Sequence, residues 1–199
     1  MEKVKSRFGF SNNSVAVRGE KSKTAELILT STHDKVKLTA KASLALGIGN
    51  GDNLWFISNI KDMEAAVAKK ELTATNNPIV FIDNETNEEI TATFLVTKGI
   101  PVFDRNGNPV MTKDRVTKEE VQAIYGCKMA NVSGREGVGM SLEGSDANNY
   151  RLLGGNSEVN KVFSINLEEP IEVEMFGETI TAYAIEFKED TAKIERKKK

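Results

Sequence analysis

The fold class is decided by residues 171–184, whose sequence is IEVEMFGETITAYA. Apolar and polar residues alternate on both sides of Phe176-Gly177-Glu178, so each half places its apolar side chains on one face of a strand. Glycine at the centre favours a tight turn between the two halves. One buried face and one face in water is typical of an antiparallel sheet. The stretch therefore predicts two paired antiparallel strands.

Short runs rich in β-branched and aromatic residues recur upstream, separated by turn residues. The run at 161–167 directly precedes the stretch above, and we expect the three strands to form a meander. Polar residues 83–89 predict a hairpin connection, and Asn106-Gly107 predicts a tight turn. The other predicted strands lie at 26–30, 35–38, 53–58, 79–82, 90–96, 100–103 and 109–111.

Residues 39–46 are predicted to form a short helix. Thr39 can cap its start, and Gly47 stands just past its end. Residues 62–72 are ambiguous, because their composition favours a helix while their apolar run could pair back onto 54–58. We favour the strand for this segment.

A second helix is predicted at residues 117–126. Thr117 and Glu120 have the capping-box spacing, and Gly126 supplies a C-terminal stop. The chain is therefore predicted to be mainly β, a β-rich α+β fold of short antiparallel strands with two short helices, arranged as a sandwich or a barrel.

The composition changes near residue 75 and again where glycines are interspersed with polar residues. Long loops of the latter kind are usually functional or disordered. We divide the chain into an N-terminal β-rich module at 1–75, an antiparallel β module at 76–187 with a long glycine-rich loop at 131–157, and a basic tail at 188–199.

The chain of 199 residues contains one cysteine and one histidine, which limits its chemistry. The single Cys127 excludes an internal disulfide and a thiolate metal cluster, and the single His33 removes most catalytic and zinc chemistry. A calcium-loop-like run at Asp104 fails, because Pro109 stands where a glycine is needed and Arg115 where a glutamate is needed. We expect no catalytic residue, no metal and no cofactor, and a protein that is not an enzyme.

Charge is distributed unevenly, although 27 basic residues nearly balance 29 acidic ones. Residues 1–23 carry six basic and two acidic residues, residues 188–199 carry six and three, and the body between them has a net charge of −9. Basic ends suit acidic patches on a neighbouring subunit, although nucleic acid or plain solvation would satisfy them too. The candidate partner-binding residues are Arg7, Arg18, Trp55, Arg196, Lys197, Lys198 and Lys199.

Residues 35–56, KVKLTAKASLALGIGNGDNLWF, combine a short strand, a short helix, the motif LGIGNGD at 46–52 and a second strand. This segment resembles the AbrB-type swapped-hairpin DNA-binding domain. It differs in having Thr39-Ala40 where a proline is usual, and in lacking arginines in the helix. The resemblance implies dimerisation by strand exchange, with Lys35, Lys37 and Lys41 as the residues that contact DNA.

The whole chain is similar in general style to the auxiliary or minor capsid proteins of tailed phages, which combine many short strands, little histidine or cysteine, long polar loops and basic ends. This resemblance implies a non-enzymatic structural protein of a virion that binds other subunits of a large assembly and forms a homo-oligomer. We expect it in the virion or the host cytoplasm, since residues 1–5 lack the apolar segment of a signal peptide and no membrane span is predicted. The alternative is a DNA-binding transcriptional regulator that uses the element at residues 35–58, with nucleic acid as its partner.

Overall fold

The computed structural model describes residues 24–32, 34–114, 117–131, 142–144 and 147–192. Strands make up 48% of the described residues and helices 11%, which confirms the predicted mainly β fold. The described strands are β1 (Glu26–Thr30), β2 (Lys35–Leu38), β3 (Asn53–Ser58), β4 (Leu72–Ala74), β5 (Val80–Asp83), β6 (Glu89–Thr91), β7 (Phe94–Lys98), β8 (Met111–Lys113), β9 (Glu120–Gln122), β10 (Cys127–Asn131), β11 (Leu142–Gly144), β12 (Val159–Ile165), β13 (Ile171–Met175) and β14 (Glu178–Ala192). The described helices are α1 (Ala40–Ala45), α2 (Met63–Ala68) and α3 (Ala147–Leu152).

Eight strands form a hydrogen-bonded circuit in which every neighbouring pair is antiparallel. Their order is β12-β1-β2-β11-β10-β3-β7-β14, and β14 pairs in turn with β12. The strand β14 reaches both neighbours because it is 15 residues long, pairing with β7 through 183–185 and with β12 through 185–192. β13 adds a ninth strand beside the first residues of β14. The curled sheet is the barrel-like arrangement predicted from the sequence.

Side chains alternate between the interior and the exterior of the curled sheet. Leu54 and Phe56 of β3 are buried, whereas Trp55 between them lies on the outer face and is half-buried. Trp55, a candidate partner-binding residue, therefore points away from the interior of the sheet. The largest fully buried interior side chains are those of Phe94, Phe163, Leu27, Leu29, Leu38, Leu54, Met129, Val36 and Val96.

The predicted helix after β2 is present and begins as expected at Thr39. The Thr39 hydroxyl oxygen accepts a hydrogen bond from the Ala42 amide at 3.5 Å, and the hydroxyl donates to the Thr24 carbonyl at 2.9 Å. Gly47 then adopts a φ of +63°, which ends the helix. The strand, helix, turn and second strand expected for residues 35–58 therefore all form.

The turn between α1 and β3 is held by the carboxylate of Asp52. One of its oxygens accepts hydrogen bonds from the Gly49 amide at 2.8 Å and from Lys98 Nζ at 2.9 Å. The ammonium group of Lys98, followed by the Gly49 amide, lowers the pKa of Asp52. The acidic end of the LGIGNGD motif thus fixes the direction in which β3 leaves the turn.

The segment 62–72 forms α2 rather than the predicted strand. The edge of β3 onto which it would pair is occupied by β7, with Phe56 opposite Val96. Met63 is buried against the core, so helical packing decides the conformation. The helix leads into a three-stranded sheet of order β4-β5-β6, in which residues 83–89 form the predicted hairpin connection.

The predicted helix at 117–126 is wrong. Glu120–Gln122 is strand β9, which pairs with β8, so that Val121 lies opposite Thr112. The Thr117 amide donates to the side chain of Asp114 at 3.0 Å, which makes this end of the segment a hairpin turn instead of a helix cap. Cross-strand pairing has overridden the local capping signal.

The predicted meander is right in its turn and wrong in one pairing. β13 and β14 form the expected hairpin around Phe176-Gly177. β12, however, pairs with the second half of β14 and not with β13.

The predicted single strand at 90–96 is divided into two strands, β6 and β7, which belong to two different sheets. The main sheet contains strands from both 1–75 and 76–187.

Candidate protein-interaction surface

Residues 99–126 leave the main sheet between β7 and β10 and form an arm, a name we use for this segment throughout. Within it, the backbone of Val102 donates to Ala123 at 2.9 Å and accepts from Val110 at 3.0 Å. Strands β8 and β9 pair with each other directly beyond these backbone hydrogen bonds. The predicted turn at Gly107 is present, with a φ of +81° and an isolated bridge between Phe103 and Pro109 beside it. The arm is therefore a short β-structure of its own that projects from the main sheet.

Two glycines hold the base of the arm against β3. A Cβ atom on Gly126 would overlap the carbonyl oxygen of Leu54 and lie 2.8 Å from the Cα of Trp55. A Cβ atom on Gly99 would overlap the carbonyl oxygen of Tyr125. Asn53 adds a side-chain hydrogen bond from Nδ2 to the Gly126 carbonyl at 3.2 Å. The backbone of the arm is thus in direct contact with the backbone of the sheet.

Three aromatic rings stack across the outer face of the sheet and join the arm to the β13–β14 hairpin. The centroids of Trp55 and Tyr125 are 4.7 Å apart, with 16° between the ring planes. The centroids of Tyr125 and Phe176 are 5.2 Å apart, with 6° between the planes. Nearby on the same outer side, Thr97 and Ala182 are buried. The stack therefore connects three segments that are remote in sequence.

Phe176 stands in a backbone conformation that is unusual for a large side chain. It has a φ of +55°, and Gly177 after it has a φ of +81°, so both central residues of the two-residue turn are left-handed. Turns of this type favour asparagine or aspartate at the first position, and the left-handed conformation costs other residues roughly 1–2 kcal/mol. The ring stacks on Tyr125, yet the residue is 65% exposed. Backbone conformations of this kind in large residues cluster at functional sites.

Exposed apolar side chains are concentrated in the same two segments. Among the described residues, seven large hydrophobic residues are exposed, and six of them belong to the arm or the β13–β14 hairpin. The seventh, Leu44, lies on α1. We call the six the arm–hairpin surface, and they are Phe103, Met111, Val121, Ile124, Ile171 and Phe176.

The predicted partner-binding residues are placed as follows. Trp55 lies beneath Tyr125 at the inner end of the aromatic stack. Lys35 and Lys37 lie on the outer face of β2, half-buried, and Lys41 is exposed on α1. Arg7, Arg18, Arg196, Lys197, Lys198 and Lys199, like His33, lie outside the described residues.

Other features of the described residues provide little for chemistry. No group of three or more histidine, cysteine, aspartate or glutamate side chains in the described part of the chain could hold a metal ion. Cys127 is buried in the core.

An open groove of about 560 Å³ lies between α2 and the β5–β6 turn. There the Asp83 carboxylate accepts hydrogen bonds from the amides of Thr86 and Glu85, which lower its pKa. The Asp83 carboxylate therefore stabilises the turn between β5 and β6.

None of the described helices is long and apolar enough to cross a membrane.

Tyr125 and Phe176 were not identified as site residues from the sequence. The stack joins residues 55, 125 and 176, and no local pattern connects positions so far apart. The one available signal was Phe176 itself, because a phenylalanine precedes the glycine of a tight turn where asparagine would fit better.

Comparison of the chain with protein-family models, with curated proteins and with solved structures yields no match.

Proposed function

We propose that the protein is a non-enzymatic assembly subunit that binds other protein subunits, including copies of itself, through the arm–hairpin surface. The auxiliary capsid proteins of tailed phages are the class that its sequence resembles in style, and a virion is the assembly we propose for it. The observation that carries the proposal is Phe176, a largely exposed aromatic residue that a left-handed turn presents and that the aromatic stack joins to the arm, where four of the other exposed apolar side chains lie.

Physical considerations favour a protein partner for this surface. Exposed apolar side chains that concentrate in one region are uncommon on monomers and mark interaction sites, and six of the seven among the described residues belong to two segments that the aromatic stack joins. Aromatic residues dominate the binding energy of protein interfaces, because a rigid ring buries a large area with little loss of conformational entropy. The stack on Tyr125 orients the ring of Phe176 before binding, which reduces the ordering cost of association.

Replacing Phe176 with serine is expected to weaken association of the purified chain roughly tenfold or more, because the substitution removes a central aromatic contact. Sedimentation velocity over a series of concentrations measures the change. The wild-type sedimentation coefficient should rise with concentration, and that of Phe176→Ser should rise only at much higher concentration.

Leu44→Ser is the matched control for this experiment. Leu44 is 78% exposed and lies on α1, outside the arm–hairpin surface. Its replacement should leave the association curve unchanged. Equal weakening by both substitutions would contradict the assignment of the surface, because general loss of apolar area would then explain the result.

The second candidate is the DNA-binding regulator. It is favoured by the strand, helix, turn and strand that residues 35–58 form, and by Lys35 and Lys37 on the outer face of β2. In this chain β2 pairs with β1 and β11, and β3 pairs with β10 and β7, so strand exchange would have to replace pairs within one molecule.

If the element binds DNA, duplex DNA should be retarded in a gel at low salt, and the affinity should fall steeply towards physiological salt. Substituting both Lys35 and Lys37 with glutamine should abolish this retardation. The same substitution of Lys69 and Lys70, which directly follow α2, should leave it unchanged. An unretarded duplex at low salt would eliminate this candidate.

A further inference from the structure

We propose that the partner on the β13–β14 hairpin is a second copy of this chain, which contributes its basic residues 193–199, so that copies associate head to tail. This inference rests on the proposed function and specifies its partner. It is carried by the position of β13 at the edge of the sheet, by the charge of the hairpin, and by the distance from the hairpin to the point at which β14 ends.

The hairpin is strongly acidic and contains an edge strand. Residues 162–187 include six glutamates and no lysine or arginine. Three of the glutamates, Glu172, Glu174 and Glu178, lie on the hairpin, where β13 pairs with β14 and stands last in the sheet order. Within the described part of the chain, none of these three forms an ion pair. An edge strand of this kind can accept an extended segment of another chain.

Residues 193–199, KIERKKK, supply the complementary charge, with five basic residues and one acidic residue. The acidic side chains near the end of β14 already have partners. Asp190 contacts Lys161 Nζ at 3.0 Å, and Lys188 Nζ contacts both Glu26 at 2.8 Å and Glu189 at 3.6 Å. The acidic side chains nearest to the basic segment are therefore already paired, whereas Glu172, Glu174 and Glu178 of the hairpin form no ion pair in the described part of the chain.

Distance excludes the hairpin of the same molecule. Glu178 and Ala192 are the two ends of β14, and fifteen residues of strand extend about 40–45 Å. Seven residues span at most about 25 Å when fully extended. Seven residues are therefore too short to reach back to Glu174 and Glu178 of their own chain, so a contact of residues 193–199 with this hairpin is made between copies.

The same charges disfavour direct pairing of two hairpins. Two β13 edges placed side by side would bring glutamates against glutamates, and like charges across a strand pair are destabilising. A contact between a hairpin and a basic segment joins two different surfaces, so it can repeat head to tail into rings or filaments, or be exchanged between two copies in a closed dimer.

A charge-swap experiment on the full chain, followed by sedimentation velocity at low and high salt, tests the inference. One variant carries Glu172→Lys, Glu174→Lys and Glu178→Lys, and the other carries Arg196→Glu, Lys197→Glu and Lys198→Glu. Each variant alone should lose association by roughly tenfold or more, since hairpin and tail then carry the same sign of charge. An equimolar mixture should associate again, because each hairpin then meets a tail of opposite charge.

The control variant carries Glu85→Lys, Glu88→Lys and Glu89→Lys, which makes the same change in charge on the exposed β5–β6 turn. It should associate like the wild type. Recovery in the mixture also shows that both single-swap variants are folded, and the fluorescence of Trp55 checks this independently.

The outcomes separate this inference from the proposed function. Association that survives in both single-swap variants, or that is not restored by mixing, overturns the head-to-tail inference. If such association is still weakened by Phe176→Ser, the proposed function stands without it. A result in which removal of residues 1–23, but not of 193–199, abolishes association would also overturn the inference. A wild-type chain that remains monomeric throughout overturns both.

Discussion

Replacing Gly126 with alanine should destabilise the protein by at least about 3 kcal/mol, among the largest effects expected of any single substitution here. Gly126 has a φ of +89°, and its missing Cβ would overlap the carbonyl oxygen of Leu54. The contact is with backbone atoms of a central strand, which cannot move aside as a flexible side chain can. The arm must therefore separate from β3 or the strand must shift.

Urea unfolding measures this loss, with Gly107→Ala as the matched control. Gly107 also has a positive φ, of +81°, but no atom lies within 4 Å of the position of its Cβ. Alanine there should cost only the backbone strain, about 1–2 kcal/mol. Similar losses at both positions would contradict the close approach at the base of the arm.

The single tryptophan provides a local measurement in the same experiment. Trp55 stacks on Tyr125, the residue directly before Gly126. If alanine at position 126 displaces the arm, the emission of Trp55 should shift to longer wavelength as the indole becomes more exposed to water. Gly107→Ala should leave the spectrum unchanged, because the turn at Gly107 lies at a distance from the stack.

The strands were predicted well where burial follows a period of two within a few residues. Leu27 and Leu29, or Leu54 and Phe56, alternate with polar or outward residues, and the structure buries those pairs. The cap at Thr39 was also predictable, because the signal is contained in adjacent positions. Local patterns of this kind need no knowledge of the rest of the chain.

The two wrong segments show where such patterns fail. The threonine and glutamate at 117 and 120 match a helix start, but the pairing of β9 with β8 determines the conformation. α2 begins at Asp62, which has a φ of +49° and no side-chain cap, so the start of this helix carries no recognisable signal. Both conformations are set by partners that are distant from the local motif.

The candidate site depends even more on long-range contacts. Trp55 was selected from the sequence, but its neighbours Tyr125 and Phe176 come from segments that meet only when the sheet has formed. Charge was more informative, because the sequence alone shows the basic end at 188–199 and the acidic body before it. The structure adds that β14 separates the acidic hairpin from the basic end, and this separation turns a charge pattern into a prediction of contact between copies.

Replacing Phe163 with alanine should destabilise the protein by about 3–5 kcal/mol, the usual cost of removing a phenylalanine from a core. Phe163 is 0% exposed and lies on β12 between Leu27 of β1 and Phe187 of β14. Its ring meets that of Phe187 edge to face, with centroids 5.7 Å apart. The substitution therefore leaves a cavity at the junction where β12 closes the circuit.

Phe176→Ala is the control, because the same change on the outer face should cost only about 0.5–1.5 kcal/mol for the lost stack on Tyr125. The two substitutions should also have opposite functional consequences. Phe163→Ala should strongly lower the free energy of unfolding while folded molecules still associate, whereas Phe176→Ala should lower it only slightly and weaken association. Comparable losses of stability would contradict the assignment of Phe163 to the interior and Phe176 to the surface. The expected contrast separates the side chains that form the sheet's core from those that the folded sheet presents to a partner.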